Sequence, residues 1–344
     1  MHLSLKGVNY QHQFRISDIE TSHPILLQLK DGICRKLKDC IRSAVWDEVC
    51  DTVLLSGGLD SSIITAIRKP EYSITIGFGS EVSDLKYADA AALKYVRKRI
   101  VKILSTQEVL GLIDKVIIAL KTFDPITIRN SVVPYAALEV ANSNGIKCVY
   151  TGDGGDEIFG GYNFLTRFKD NPSRLESEIS RLRTIMTFPT FSLGETLNVK
   201  IISPFLNGKV VGIAELIPIS DLVAFYRNRV WGKMVLRRCY RNELGEEICW
   251  RTKQAQEEGA GITKIREILG NNYTDLSFAE EARIAKSKGV VIRSKEHLSY
   301  FRSFIRNFSL EVRCDCPELT CSGCGNCVSF LSNYCQLCGQ FPVK

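Results

Sequence analysis

No stretch of this chain approaches the roughly 18 uninterrupted apolar residues that a membrane-crossing helix needs. Nor does the N-terminus, MHLSLKGVNYQHQF, set a basic region ahead of an apolar one in the manner of a secretory leader. A soluble cytoplasmic protein with no membrane partner is the expectation. Internal repeats and low-complexity linkers are also missing. Hydrophobic residues at 45% and charged residues at 24% exclude wholesale disorder. The 344 residues allow one large core and a small appendage, since single cores stop growing near about 250–300 residues. A formal charge of +7 suits a polyanion such as tRNA, and equally a plain solvated surface.

What is present is an alternation of strand-like and helix-like segments. Ile25, Leu26, Leu29, Ile33, Leu37, Ile41 and Val45 recur at helical spacing, and 52–55 then reads as a short buried strand. Helix is expected over 59–67, strand over 72–78, helix over 85–96, strand over 100–104 and helix over 109–120. A helix over 133–141 and a strand over 146–150 follow. Units of this kind predict an α/β fold with a mostly parallel sheet flanked by helices, binding its ligand beyond the carboxyl ends of the strands. From about residue 172 the pattern is mainly helical, including 175–186, 222–228, 233–241 and 279–309, with a loop and short helix over 254–275. The expected organisation is an N-terminal extension and helix over 1–45, a catalytic domain over 46–310 and a cysteine-rich tail over 311–344.

The lysine-bearing Walker pattern is absent, which argues against simple transfer of a terminal phosphoryl group. In its place Ser56, Gly57, Gly58, Leu59, Asp60, Ser61 and Ser62 lie between an apolar strand and a helix, where backbone amides can converge on phosphate oxygens. Read as a bare turn, the same residues would bind nothing.

This heptapeptide resembles the pyrophosphate-binding loop of the ATP pyrophosphatase superfamily. Within it, residues from about 30 to 260 are similar to the synthetase domain of the asparagine synthetase family. Four further segments carry the likeness: Ile76-Gly77-Phe78 with Ser83-Asp84-Leu85, the segment TFDPITIRNS over 122–131, the loop YTGDGGDEIFGGY over 150–162, and Trp231-Gly232-Lys233 with Trp250-Arg251-Thr252-Lys253-Gln254. The resemblance implies a domain similar to the adenine nucleotide alpha hydrolases, splitting ATP to AMP and pyrophosphate.

It also implies roles. Ser56, Gly57, Gly58, Asp60, Ser61, Ser62, Gly77, Asp84, Gly152 and Gly154 would bind the nucleotide, and Asp60 and Asp156 would hold Mg²⁺. Lys233 would balance charge at the α-phosphate and Lys253 at the pyrophosphate, while the forked donors of Arg129 suit a substrate carboxylate. Read alone, Asp60 is a helix-capping carboxylate, Lys253 a surface lysine and Arg129 half of a structural ion pair. Asp153 stands where the family usually has a glutamate that steers or deprotonates ammonia, one methylene shorter. Asn207 stands where an aspartate is common, and either shapes the acceptor pocket or caps the next helix. The family's N-terminal glutaminase domain finds no room ahead of residue 50, so ammonia, an amine, a separate amidotransferase or a sulfur donor is expected to supply the nucleophile.

Seven of the thirteen cysteines fall between Cys314 and Cys338. Cys321-x-x-Cys324 and Cys335-x-x-Cys338 have the spacing of a four-sulfur Zn²⁺ site, with an iron-sulfur cluster as the lesser alternative. Cys314, Cys316 and Cys327 remain over for a second site, with His297 as a further candidate ligand. Cys148, in an apolar strand, reads as a buried thiol. Lys286, Lys288, Arg293, Lys295, Arg302 and Arg306 just upstream could extend a positive surface toward RNA.

Three functions are consistent with these residues. The first is an ATP-dependent amide-forming ligase that activates a carboxylate, aspartate foremost, as an acyl adenylate for attack by ammonia or an amine. The second is an ATP-dependent tRNA base-modifying enzyme such as a thiolase, and the third a non-catalytic nucleotide-binding scaffold.

Overall fold

The computed structural model describes residues 23–79, 82–254, 256–309, 320–328 and 333–343, with backbone only for 23–31 and 256. The first half runs α1 (His23–Trp46), β1 (Thr52–Leu54), α2 (Leu59–Arg68), β2 (Tyr72–Phe78), α3 (Ser83–Tyr95), β3 (Lys98–Leu104), α4 (Thr106–Leu120), α5 (Pro125–Ser143), β4 (Cys148–Tyr150) and α6 (Gly155–Phe159). The second half is α7 (Pro172–Ile185), α8 (Pro189–Thr196), β5 (Lys200–Ile202), α9 (Gly208–Glu215), α10 (Ile219–Leu222), β6 (Ala224–Tyr226), β7 (Arg229–Trp231), α11 (Met234–Cys239), α12 (Arg241–Cys249), α13 (Gln256–Gly259), α14 (Ile265–Gly270), α15 (Asp275–Ser287) and α16 (Lys295–Asn307).

Strands β1 to β5 form one parallel sheet in the order β3-β2-β1-β4-β5. The chain moves outward from β1 to β3 and then returns to the other side of β1, so β1 and β4 flank a switch point. Ligands bind at such a point because the loops leaving the two strands diverge and open a crevice.

Period-two alternation sends Val53 and Leu55 to one face and Leu54 to the other. The first face is covered by α1, α2, α7, α9, α11 and α12, the second by α4, α5, α14 and α16. Helix α5 is buried around most of its circumference, and Pro125 at its first turn is pre-set for helix entry. Its N-cap Asp124 accepts hydrogen bonds from the backbone N–H groups of Ile126 and Thr127, at 3.1 and 3.0 Å.

Expectation and structure differ in three places. The helix expected over 222–228 is instead the end of α10 followed by the hairpin β6–β7, paired Tyr226↔Arg229. Arg227 and Asn228 form its turn at φ 49° and 61°, the left-handed backbone a two-residue hairpin requires and a helix cannot contain. Cys148 is not a buried free thiol: it lies half-buried at the start of β4 in a disulfide with Cys50, Cα–Cα 5.8 Å. A second disulfide, Cys34–Cys239, joins α1 to α11. Finally, the structure adds α8 and β5, which the sequence pattern does not signal, the strand being only three residues long. Among the described residues no helix is long and apolar enough to cross a membrane.

Candidate active site

The cleft opens at the carboxyl ends of β1 and β4. Beyond β1 the chain turns at Gly57, with φ +67°, and a Cβ there would run into the backbone of Tyr87 and Ala88 on α3. Only glycine lets the loop pass so close to α3. Gly58 enters α2 with no side-chain cap, so the leading N–H groups of that helix keep their capacity for an anion. The hydroxyls of Ser56 and Ser61 meet at 3.2 Å and the Ser56 hydroxyl also accepts from Gly58 N–H at 3.3 Å, which holds the loop in shape.

The loop after β4 packs against this one through its glycines. A Cβ on Gly152 would meet the Asp60 side chain at 2.9 Å, and one on Gly155 would overlap the Asp60 carboxylate. That closeness seats the Asp60 carboxylate against the loop that carries Asp156. Between them stands the ammonium of Lys233, 3% exposed, which contacts Asp60 and lies 2.7 Å from Asp156 Oδ1. Lys253 reaches Asp156 Oδ2 at 2.9 Å.

Two carboxylates and two ammonium groups thus balance around the buried Lys233, the other three being half-buried. Burial works against charge on Asp156, but Lys233 and Lys253 hold its carboxyl well below the usual range. Burial also opposes charge on Lys233, yet Asp156 and Asp60 keep its pKa above the ordinary lysine value. Asp60 moves upward, because burial and repulsion from Asp156 outweigh its attraction to the lysines. Asp60 Oδ1 is buried with no hydrogen-bond partner among the described residues. An orphaned carboxylate oxygen in a site that a second carboxylate shares is what a hard cation seeks, so the residues present fit Mg²⁺.

Asp153 lines the same cleft. Burial pushes its carboxyl up to about 6 against hydrogen bonds from Thr151 and Thr190 that lower it. Thr151 Oγ1 donates to its Oδ2 at 3.0 Å, and Ser203 Oγ donates to its backbone carbonyl at 2.6 Å. Nearby, Asn207 is the N-cap of α9, accepting from Lys209 N–H at 3.0 Å, so here the capping role is the one seen.

The opposite wall is apolar, built by Ile74 and Ile76 of β2 and by Val133, Pro134 and Ala137 of α5. Arg251 also lines the cleft; it pairs with Asp84, donates to the Ser56 carbonyl at 3.3 Å and stacks on Tyr87. Asp84 therefore lines the cleft with its carboxylate already engaged.

Several expected site residues stand elsewhere. Gly57, Ser62, Gly77 and Gly154 lie behind the wall rather than on it; Gly77 makes room for Val82 and Gly154 for Leu206. Arg129 is not placed to hold a substrate carboxylate. It is 5% exposed on α5, with its guanidinium spent on Glu296 of α16, at 2.7 and 2.9 Å, and on Glu257 of α13 at 2.6 Å. Arg251 was legible only as part of a resembling segment. Thr190 and Arg237 carried no sequence signal, since only folding brings α8 and α11 to the cleft. Arg237, whose guanidinium burial lowers to about 10, donates to the Gly232 carbonyl at 2.8 Å and so braces the turn bearing Lys233.

In the tail, Cys321, Cys324, Cys335 and Cys338 converge with their sulfurs within 4.8 Å of one another. Cys314 and Cys316 lie outside the described residues. Cys327 is exposed and disulfide-bonded, which removes it from the candidate ligands. His297 does not join the sulfurs: it stacks on Phe123 in the core and its Nδ1 accepts from Arg293 N–H. Four of the six upstream cations already have partners. Arg293 binds Gln340 and the Cys338 carbonyl, Lys295 pairs with Asp275, Arg302 with Glu281 and Arg306 with Asp114.

Fold and cleft together define a parallel α/β domain with a glycine-loop cleft at its switch point. Residues 32–201 match the asparagine synthase family model, and this part of the chain is an asparagine synthase domain. The chain is 29% identical over 323 residues to the glutamine-hydrolyzing asparagine synthetase B of Escherichia coli K12, covering 85% of this chain and 57% of that protein. It is 27% identical over 288 residues to a probable glutamine-hydrolyzing asparagine synthetase of Dictyostelium discoideum, covering 74% and 51%. A Lotus japonicus relative, asparagine synthetase 1, is 30% identical over 243 residues, covering 62% and 40%. The chain spans about half the length of the curated relatives it matches.

Proposed function

We propose that this chain is an ATP-dependent amide-forming ligase that yields AMP and pyrophosphate, with aspartate the first candidate for the carboxylate. The observation that carries this reading is the ion cluster of Asp60, Asp156 and Lys253 around the buried Lys233, where the loops after β1 and β4 meet. A substrate carboxylate oxygen bonds to the α-phosphorus of ATP, the α–β phosphoanhydride breaks, and pyrophosphate leaves. Charge grows on the phosphoryl oxygens as this happens, and Lys233 is fixed to meet it without rearrangement. Ammonia or an amine then attacks the acyl carbon, gives up a proton, and expels AMP. Asp153 is the acceptor of that proton, its carboxyl poised near about 6 by burial.

Magnesium, held by Asp60 and Asp156, would neutralise the phosphates. Ile74, Ile76, Val133, Pro134 and Ala137 offer the nucleobase an apolar slot, and the chain's own glycine loop offers the phosphates its amides. Arg251, paired with Asp84 in the cleft lining, takes up space that water would otherwise fill beside the reactive adenylate. The ammonia comes from solution or from a separate amidotransferase.

The test uses ¹⁸O-carboxylate aspartate with ATP, Mg²⁺ and ammonium, read by mass spectrometry. Asparagine together with AMP carrying one ¹⁸O atom is expected, because the carboxylate oxygen stays on phosphorus. RNA-dependent AMP release without label would replace this reading by nucleobase modification, and no AMP with either substrate would leave a binding protein.

A further inference from the structure

The two halves of the cysteine tail repeat one backbone device. Cys321-Ser322-Gly323-Cys324-Gly325 and Cys335-Gln336-Leu337-Cys338-Gly339 share the pattern C-x-x-C-G. In both the glycine is left-handed, φ 73° at Gly325 and 72° at Gly339, and its N–H donates to the carbonyl of the first cysteine at 2.8 Å. In both the N–H of that first cysteine donates to the carbonyl of the residue after the glycine, Asn326 at 2.9 Å and Gln340 at 3.0 Å. Two matching knuckles thus face each other, each presenting two sulfurs.

All four sulfur-bearing residues are at most 3% exposed. Cys321 and Cys338 stand with sulfurs 3.7 Å apart, as do Cys324 and Cys335. Those separations are too long for disulfides, while four sulfurs about 2.3 Å from one tetrahedral zinc ion would sit about 3.75 Å apart. A group confined within 4.8 Å encloses one ion and leaves no space for bridging sulfides. Gly323 N–H donates to Cys321 Sγ at 3.3 Å, the contact a thiolate attracts.

The second knuckle also grips the catalytic domain. Thr122 Oγ1 donates to the carbonyls of Gln336 and Leu337 at 2.6 and 3.0 Å, and Phe123 N–H donates to Leu337 at 2.9 Å. Tyr334 OH donates to Asp124, the N-cap of α5, the helix whose Val133, Pro134 and Ala137 wall the cleft. From the first knuckle, the Gly323 carbonyl accepts from Val291 N–H at 2.8 Å.

We infer that Cys321, Cys324, Cys335 and Cys338 bind a single Zn²⁺ as thiolates, and that this metal knuckle fastens the loop 121–127 at the head of α5. Zinc fits because it accepts four thiolates in tetrahedral geometry and takes no part in redox chemistry. With few apolar residues of its own, the segment holds its shape through the ion. None of this depends on which carboxylate or nucleophile the cleft accepts.

Elemental analysis of the full-length protein is expected to find about one zinc per chain, falling at least tenfold in a Cys324→Ser/Cys338→Ser variant and unchanged in Cys40→Ser, which lies outside the cluster. Cobalt reconstitution of chelator-treated wild type should give the intense visible bands of tetrahedral thiolate coordination, a readout that holds even if the double variant fails to fold. Iron with a cluster chromophore, or no bound metal, overturns the assignment. For the fastening role, hydrogen exchange at Phe123, Ile126 and Thr127 should quicken at least tenfold on zinc removal while α2 keeps its protection. Unchanged exchange at those amides would sink it.

Discussion

Lys233 is the counter-charge that lets Asp60 and Asp156 share one site. Removing one partner of such a set leaves uncompensated charge in low dielectric, at a cost of about 3–5 kcal/mol. Lys233→Ala is therefore expected to lose that much stability in urea titrations, as well as AMP formation, and Asp60→Asn in the same chain should restore part of the stability but none of the activity. Asp153 makes a separate prediction. Its carboxyl rises from 3.8 to about 6 on folding, so the folded state binds that proton more tightly than the unfolded chain. The stabilising preference for the protonated form is full below about pH 4, is lost as pH rises toward 6, and becomes a constant cost above it. Asp153→Asn should flatten stability between pH 4 and 7. Amide formation by the wild type should climb through about pH 6, and the variant should retain ATP–pyrophosphate exchange while forming little amide. A variant with wild-type amide yield would rule out Asp153 as proton acceptor.

At the scale of elements, α5 is the joint of the molecule. Its N-terminus is held by the tail, its middle walls the cleft, and Arg129 on it ties α13 and α16 together through Glu257 and Glu296. Arg129→Leu would strand two buried carboxylates, and an unfolding free energy lower by about 3–5 kcal/mol is expected from chemical denaturation. Turnover per folded molecule should stay within about twofold, since Arg129 does not line the cleft. A loss of turnover at unchanged stability would return Arg129 to substrate binding. The hairpin β6–β7 serves a similar end on the other side, since Lys233 follows directly from it at φ 54°, a backbone that Arg237 braces from below.

Across the whole molecule, the cleft draws one wall from each side of the sheet. Asp60 and Ser61 belong to α2 on the face packed by α1, and Val133 and Pro134 to α5 on the face packed by α16. A ligand that bridges these walls stabilises the native state as a unit. ATP with Mg²⁺ at about 100 times its Kd should add about 2.7 kcal/mol, seen as a rise in melting temperature that chelation of Mg²⁺ reduces. No shift with Mg²⁺ and ATP at millimolar concentrations would argue against a nucleotide site.

Much of this was legible before folding was considered, and the reasons are local. Strand and helix alternation, with the glycine loop between Leu55 and Leu59, depends on side-chain period and on backbone freedom, both written in neighbouring residues. The spacing of Cys321-x-x-Cys324 and Cys335-x-x-Cys338 likewise pointed to a four-sulfur site, while which of the seven tail cysteines pair in it was left to the fold. Tertiary structure decided what depends on residues far apart in the chain. It took Arg129 out of the site by bringing Glu257 and Glu296 to it, and it placed Lys233 between carboxylates 173 and 77 positions away. It brought Thr190 to Asp153, turned 224–231 into a hairpin, and set the tail on the head of α5. Charge pairing and burial are sums over distant neighbours, so chemistry-bearing residue types can be read from sequence while their partners, and hence their roles, belong to the fold.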